Sequence, residues 1–368
     1  MDFTYTDEQN DIKQLSNKIL QEQVTIDSHK KLEEEMKKGA PRFDGRLWAT
    51  VADAGLLGIA LAEEYGGMGF SFMELSLFLE EVGRVVAPIP AVPSTISALA
   101  IQKFGDKELK AVLGGTVTGE VILTTAFSEP AVQDALDPAV KATKDGNSWK
   151  ISGVKLCVPY AKLAHLMLVT AATDKGPAVF VVDPKTKGVT INDLIATSFE
   201  PQAEVIFDGA VAKAQLGGAD AVKYLVEHYT AAVCAHQIGV TDAAMRLTSS
   251  YVSEREQFGR KIGTFQAVGH KAANQFIDVG CLRLVTQQAV SMLSEGREAE
   301  MEVRTAKVWA GDTGHRVSYN AQQLHGGMGV DRDYPLWRYA VWSRQNELTL
   351  GSSSFHLMKM GQAIADGA

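Results

Sequence analysis

From Thr6 to about Gly115 the apolar residues recur with a helical period. Ile12, Leu15, Ile19 and Leu20 share one helical face, and Thr6 followed by Gln9 has the form of a capping box, so a helix is predicted to begin there. A second amphipathic stretch follows Asp44, with Leu47, Trp48, Val51 and Leu56. A third runs from Ser71 through Met73, Leu75, Phe78, Leu79 and Val82. The turn Glu64-Tyr65-Gly66-Gly67-Met68-Gly69 separates these two stretches. Pro88, Pro90 and Pro93 each remove a backbone donor and predict a break. Two further helices are predicted beyond it, over 94–104 and 106–113.

Between about Thr118 and Gly209 the period falls to two. Strands are predicted over 121–125, 140–143, 149–152, 166–170, 178–182, 189–191 and 205–207. Asp145-Gly146-Asn147 and Asp174-Lys175-Gly176 have the chemistry of hairpin turns. The alternation predicts a small antiparallel barrel or sandwich. After Gly218 the helical period returns, with long helices predicted over 219–254, 265–295 and 300–324 and a shorter one after Ser353. Long helices with short connections form a bundle. The α, β, α order divides the chain into an N-terminal helical domain (1–117), a middle β domain (118–215) and a C-terminal helical bundle (216–368).

Composition narrows the function classes. With 368 residues, 46% hydrophobic and 22% charged, the chain has the make-up of a globular protein with a large core. The formal charge of -8 with dispersed lysines and arginines disfavours a nucleic-acid partner. The longest apolar stretch, 163–172, is too short for a membrane span, which needs roughly 18 to 20 residues. The polar, acidic stretch from Met1 to Glu8 lacks the features of a secretory signal, so a cytoplasmic location is expected. Cys157, Cys234 and Cys281 show no metal-ligand spacing and read as reduced thiols.

Two turns carry candidate chemistry. Arg255-Glu256-Gln257-Phe258-Gly259-Arg260-Lys261-Ile262-Gly263, with Gln266 beyond, joins two predicted helices. Arg255 offers a planar fork of donors for a pyrophosphate or carboxylate, and an aromatic neighbour can support a flat ring. A solvated charged turn explains the same residues. Gln323-Leu324-His325-Gly326-Gly327-Met328-Gly329 ends another helix, where glycines permit either close approach to a ligand or a helix cap. Neither run follows a strand with the spacing of a dinucleotide or phosphate loop, which excludes a nicotinamide-type fold.

Taken in order along the chain, these two turns, Glu63-Glu64-Tyr65-Gly66-Gly67-Met68-Gly69 and Ser128-Glu129-Pro130 resemble the acyl-CoA dehydrogenase family. The resemblance spans essentially the whole chain. It implies a mainly α fold with a central β domain: an N-terminal α-helical domain, a middle β-barrel domain and a C-terminal four-helix bundle, with FAD bound between subunits. It also implies that Arg255, Phe258, Gln266, Gln323, Gly326 and Gly327 grip the ADP half of an FAD whose flavin ring belongs to the neighbouring subunit. His325 is the one histidine for which it implies a place beside the adenine. The reaction such enzymes perform needs a carboxylate to remove the proton α to a thioester and a flavin to accept hydride from the β carbon.

The sequence departs from the family pattern at the catalytic base. The family's Glu-Gly-Thr near the C-terminus is here Leu350-Gly351-Ser352, and the alternative base position falls on Tyr229. Glu227 and Glu347 stand two and three residues away as displaced candidates. The family's Thr-Glu-Pro-Gly-x-Gly-Ser-Asp loop is reduced to Ser128-Glu129-Pro130-Ala131-Val132-Gln133-Asp134, and its Trp-Ile-Thr strand to Cys157-Val158-Pro159. Retention of one half of a shared FAD site and loss of the other resembles the β-type subunit of bacterial heterotetrameric dehydrogenases for steroid side-chain acyl-CoA thioesters. In such α2β2 assemblies a homologous partner supplies the catalytic Glu and the flavin pocket. A non-catalytic acyl-CoA-binding scaffold, or a homo-oligomeric flavoenzyme with a relocated base, remains open on the residues alone.

Overall fold

The structure is a computed structural model that describes residues 4–367. Met1 to Phe3, which open the polar N-terminal stretch, lie outside the described residues. The chain begins with α1 (Asp7–Gln23), α2 (Ile26–Met36), α3 (Gly45–Asp53), α4 (Phe72–Arg84), α5 (Ala91–Phe104), α6 (Lys107–Lys110) and α7 (Leu113–Val117). Eight strands follow: β1 (Leu123–Ala126), β2 (Lys141–Asp145), β3 (Ser148–Pro159), β4 (Leu166–Thr173), β5 (Gly176–Val182), β6 (Val189–Ile195), β7 (Pro201–Val211) and β8 (Ala214–Gly217). The last part holds α8 (Ala219–Glu254), a small hairpin of β9 (Glu256–Gln257) and β10 (Arg260–Lys261), α9 (Gln266–Ser294), α10 (Glu300–His325), α11 (Leu336–Leu348) and α12 (Ser353–Ala365).

Contacts gather the described residues into two compact units. One takes the chain up to Ile26, Ser76–Ala87 and the chain from Thr230 on; the other takes Asp27–Leu75 and Pro88–Tyr229. We call them the bundle unit and the sheet unit.

The sheet unit is built on the order β6-β7-β3-β2-β4-β5-β8, with β1 paired to β4 off this path. Both expected hairpins form as two-residue turns: Asp145 faces Ser148, with Gly146 at φ 59°, and Thr173 faces Gly176. The sheet is not wholly antiparallel. β1 runs parallel to β4, Leu123 facing Leu166. All four β1 residues and the first six of β4 are buried, as expected for strands covered on both faces. On β1 lies α5, in which every residue from Pro93 to Ile101 is buried, so it is the central helix of this unit. Pro93 does not break the chain as expected. It sits in the first turn of α5, where no intrahelical donor is needed, and its carbonyl accepts from Ser97 Oγ at 2.6 Å.

In the bundle unit the N-terminal capping box forms as read. Thr6 Oγ1 accepts from the Gln9 amide at 3.3 Å and Gln9 Oε1 accepts from the Thr6 amide at 3.1 Å. The end of α4 and the middle of α8 meet at two glycines. A Cβ on Gly83 would stand 2.0 Å from the His236 carbonyl oxygen, and one on Gly239 1.8 Å from that of Glu80. Beside this crossing a buried ion network ties four helices. Glu80 accepts from Lys13 at 3.2 Å, Arg84 at 2.8 Å and Arg283 at 2.6 Å, while Arg84 also bonds Glu81 and Asp242. Partners on every side hold the Glu80 and Asp242 carboxyls below their ordinary range despite burial. Among the described residues no helix is long and apolar enough to cross a membrane.

Each unit also buries a neutral histidine. His228, in the sheet unit, donates from Nδ1 to the Tyr224 carbonyl at 2.9 Å and stacks on the Tyr224 ring; His236, in the bundle unit, accepts from Asn346 Nδ2 at 3.0 Å. Desolvation pushes both down to about 4. The unfolded chain takes up these protons near pH 6.5 while the native chain does not, so this stability is present above pH 6.5 and is lost as pH falls towards 4. The loss amounts to about 3 kcal/mol per histidine at 1.36 kcal/mol per pH unit. Urea midpoints are expected to drop between pH 6.5 and 4.5, and His228→Gln or His236→Gln should flatten that slope. An unchanged slope in both variants refutes the assignment.

Candidate functional site

The bundle unit brings the two glycine-bearing turns to one end. The α8 helix ends at Glu254, and the Ile262 amide closes the turn by donating to the Arg255 carbonyl at 2.8 Å. Gln257 faces Arg260 across β9 and β10, so Phe258 and Gly259 form a two-residue turn with φ of 54° and 77°. Positive φ at both central positions is the primed turn that tight hairpins favour, and a phenylalanine pays strain to adopt it. Its ring is 90% exposed, touching only the edge of Phe265 at 6.1 Å. Arg255 is exposed, and its guanidinium makes no ion pair or hydrogen bond among the described residues. Gln266 opens α9 and is also exposed.

At the end of α10, Gly326 takes φ 59° and ψ -135°, a conformation open essentially to glycine alone, and its amide caps Gln323. A Cβ on Gly326 or Gly327 would meet nothing within 4 Å, so both border open space. Gly329 differs: a Cβ there would press on Gln322 backbone at 2.9 Å, which is a packing requirement. The Gln323 side chain accepts from Lys271 of α9. His325 does not reach outward as the resemblance implied. It is 3% exposed, donates from Nδ1 to the Ala321 carbonyl at 2.8 Å, accepts at Nε2 from the Tyr334 hydroxyl at 3.1 Å, and stacks on Tyr251 at 4.3 Å. Tyr251 lies one turn before Arg255, so this stack fixes the end of α8 against the end of α10.

The two expected base positions present no carboxylate. Leu350 sits in a tight turn at φ 58°, and its carbonyl accepts from His356 Nε2 at 2.9 Å. That turn is held by Lys307, fully buried, whose Nζ donates to the carbonyls of Asn346, Glu347 and Gly351 at 2.8, 2.8 and 2.9 Å. The Glu347 carboxylate is engaged by Arg344 at 2.5 Å. In the sheet unit Tyr229 is 5% exposed with its ring edge-on to Phe127 at 5.2 Å, and burial raises its phenol. Glu227 lies 3.8 Å from Lys223 on the same helix face.

The loop after β1 is pinned rather than open. Lys155, 0% exposed, donates to Glu129 Oε1 at 2.6 Å, to Thr170 Oγ1 at 2.9 Å and to the Phe127 carbonyl at 3.0 Å. Glu129 Oε2 in turn accepts from the Ala139 and Val140 amides at 2.7 and 3.0 Å. Desolvation pushes the Lys155 ammonium down to about 8 against the opposing pull of Glu129. On β3, Cys157 is exposed at φ 52° where the pairing with β7 slips register, and Pro159 has no amide donor.

Sequence profiles of the acyl-CoA dehydrogenase N-terminal, middle and C-terminal domains match residues 6–120, 124–210 and 217–365. The chain belongs to the acyl-CoA dehydrogenase family. The acyl-CoA dehydrogenase FadE27 of Mycobacterium tuberculosis is 35% identical to it, over 100% of this chain and 99% of that protein. Among solved structures, the Tcur3481-Tcur3483 steroid acyl-CoA dehydrogenase G363A variant superposes with a TM-score of 0.94 at 37% identity, covering 98% of both chains. The ChsE4-ChsE5 complex from Mycobacterium tuberculosis gives 0.94 at 35% identity over the whole of both chains. Membership brings the expected fold, mainly helical with a sheet domain, and FAD is the family's cofactor. The ADP end of such a cofactor fits the bundle unit: free guanidinium donors at Arg255, an exposed ring at Phe258 and open space over Gly326 and Gly327. In the sheet unit the loop after β1 is held by the Lys155–Glu129 pair, and Cys157-Val158-Pro159 stands where the resemblance implies Trp-Ile-Thr.

Proposed function

We propose that this chain is the cofactor-half subunit of a heteromeric FAD-dependent acyl-CoA dehydrogenase that desaturates a bulky acyl-CoA thioester, a steroid side-chain CoA being the preferred class. Arg255, Phe258, Gln266, Gln323, Gly326 and Gly327 hold the ADP half of FAD, and a homologous partner supplies the catalytic Glu and the flavin pocket in an α2β2 assembly. The observation that carries the reading is the combination of an open, donor-rich end of the bundle unit with leucine and tyrosine, Leu350 and Tyr229, at the two expected base positions.

When bound, FAD supplies the hydride acceptor for the β carbon. This chain's part is electrostatic and positional: Arg255 meets the pyrophosphate charge, and the glycine turn lets backbone approach the nucleotide. The bundle unit also leaves large apolar side chains in water, among them Phe276 at 71%, Val330 at 68% and Leu348 at 60% exposed. Coverage of such side chains by another subunit would remove their apolar area from water. The relatives whose structures are complexes support the same assembly.

The test is co-expression with the base-containing homologue encoded nearest its gene. The expected result is a co-purifying yellow complex that turns over a steroid side-chain acyl-CoA, while this chain alone is colourless and inactive. A yellow, active homo-oligomer of this chain refutes the reading in favour of a relocated base, and a stable complex without FAD refutes it in favour of a scaffold.

A further inference from the structure

Beside the two turns of the bundle unit stands a lysine that pairs with no carboxylate among the described residues. Lys271 lies on α9 beyond Gln266, half-buried, and its ammonium donates to Gln323 Oε1 on α10. Asn320 Oδ1 is 3.5 Å from the same Nζ, and the centroid of the Tyr319 ring is 5.9 Å from it. One cation of α9 is thus surrounded by side chains from the end of α10.

The chemistry of this contact fixes which way the Gln323 amide faces. An ammonium has three donors and no acceptor, so only the oxygen end of an amide can meet it. The NH2 end is then turned away from Lys271, and its donors have no partner among the described residues. The backbone fixes where that side chain starts, because the Gln323 carbonyl accepts from the Gly326 amide in the turn whose Gly326 and Gly327 border open space. Without Lys271 the amide would be free to turn its oxygen outward instead. A pyrophosphate only accepts hydrogen bonds, so an outward oxygen repels it, whereas an outward NH2 adds to the uncommitted guanidinium of Arg255.

We propose that Lys271 is a positioning residue for the ADP half of FAD: it locks the Gln323 amide with its NH2 outward, so that Arg255 and Gln323 both present donors to the pyrophosphate. The inference rests on the cofactor-half reading above. Its own content is the coupling, since Lys271 acts on the cofactor through Gln323.

The experiment is titration of FAD into the deflavinated complex of this chain with its co-purifying partner, followed by flavin fluorescence. Wild type is compared with Lys271→Met, Lys271→Arg, Gln323→Ala, the Lys271→Met/Gln323→Ala pair and Arg255→Ala, thermal unfolding confirming that each complex is folded. Lys271→Met keeps the stem and removes the donors, and is expected to weaken FAD binding by about fivefold, the worth of about one hydrogen bond. In the Gln323→Ala background the same change should weaken binding by less than about twofold, because the group that Lys271 holds is gone. Lys271→Arg keeps charge and donors and should recover most of the loss. Wild-type affinity in Lys271→Met overturns the inference, as does a Lys271→Arg complex as weak as Lys271→Met. An equal loss with and without the Gln323 side chain also overturns it, by making Lys271 a contact of its own. Arg255→Ala separates the two levels: wild-type affinity there overturns the cofactor-half reading itself, whereas weakening in Arg255→Ala with none in Lys271→Met overturns the positioning role alone.

Discussion

Lys307→Met is expected to destabilise the chain by about 3 kcal/mol or more, one of the largest losses available from a single side chain. Lys307 is fully buried and its three protons are all used on backbone carbonyls, of Asn346, Glu347 and Gly351. Asn346 and Glu347 belong to the last turn of α11, where the helix itself provides no donor. Methionine keeps the length of the side chain and removes all three bonds. Each buried carbonyl left unsatisfied costs about 1 to 3 kcal/mol. Relief from burying an ammonium offsets part of this, since desolvation already pushes Lys307 down to about 8. Gly351 carries φ 102° and Leu350 φ 58°, so the turn depends on those bonds to hold its strained backbone. Urea unfolding with an unchanged m-value measures the effect, and a loss below about 1 kcal/mol would show that the carbonyls find other partners.

Lys307 also illustrates what the sequence concealed. It occupies the inward face of α10 with Val303, Ala306 and Ala310, at the spacing of an apolar stripe. A lysine on that stripe was the available signal of a buried cation. Lys155 follows the same logic on β3, where Ile151 points inward and the two-residue alternation carries Lys155 to a buried position. Elements with strong periods were legible: α8 has the predicted bounds, α9 and α10 differ by a residue at their ends, and both strand hairpins turn where expected.

What was missed has weak or masked periods. In α2 only His29 and Leu32 are buried, too few to show a stripe. The inward face of α11 includes Arg338, Ser343 and Asn346, so polar residues disguise it. The parallel pairing of β1 with β4 is a long-range fact that no local pattern reports. Of the candidate site, the motifs located the turns. Their exposure, the open space over Gly326 and Gly327, and the inward role of His325 depend on how α8 and α10 end beside each other.

Arg255→Ala is expected to empty the cofactor site of the assembled heteromer without slowing the sites that stay filled. Arg255 stands in a turn closed by the Ile262 amide, with no partner for its guanidinium among the described residues, so its donors are uncommitted. A bidentate, charge-assisted contact to a pyrophosphate is worth about 1.5 to 3 kcal/mol, which weakens FAD binding by about 10- to 150-fold when lost. Arg255→Lys keeps the charge but not the fork, and should recover only part of the affinity. Gln323→Ala should act in the same direction and less strongly, because a neutral amide is removed and Lys271 already holds it. Excess FAD should restore activity in each case, since the proposed flavin pocket and base belong to the partner. The measurement is FAD absorbance per complex together with turnover per bound FAD. Full occupancy in Arg255→Ala shows that this residue does not grip the cofactor. Reduced turnover per bound FAD shows that its role reaches the chemistry, which the split site proposed here does not allow.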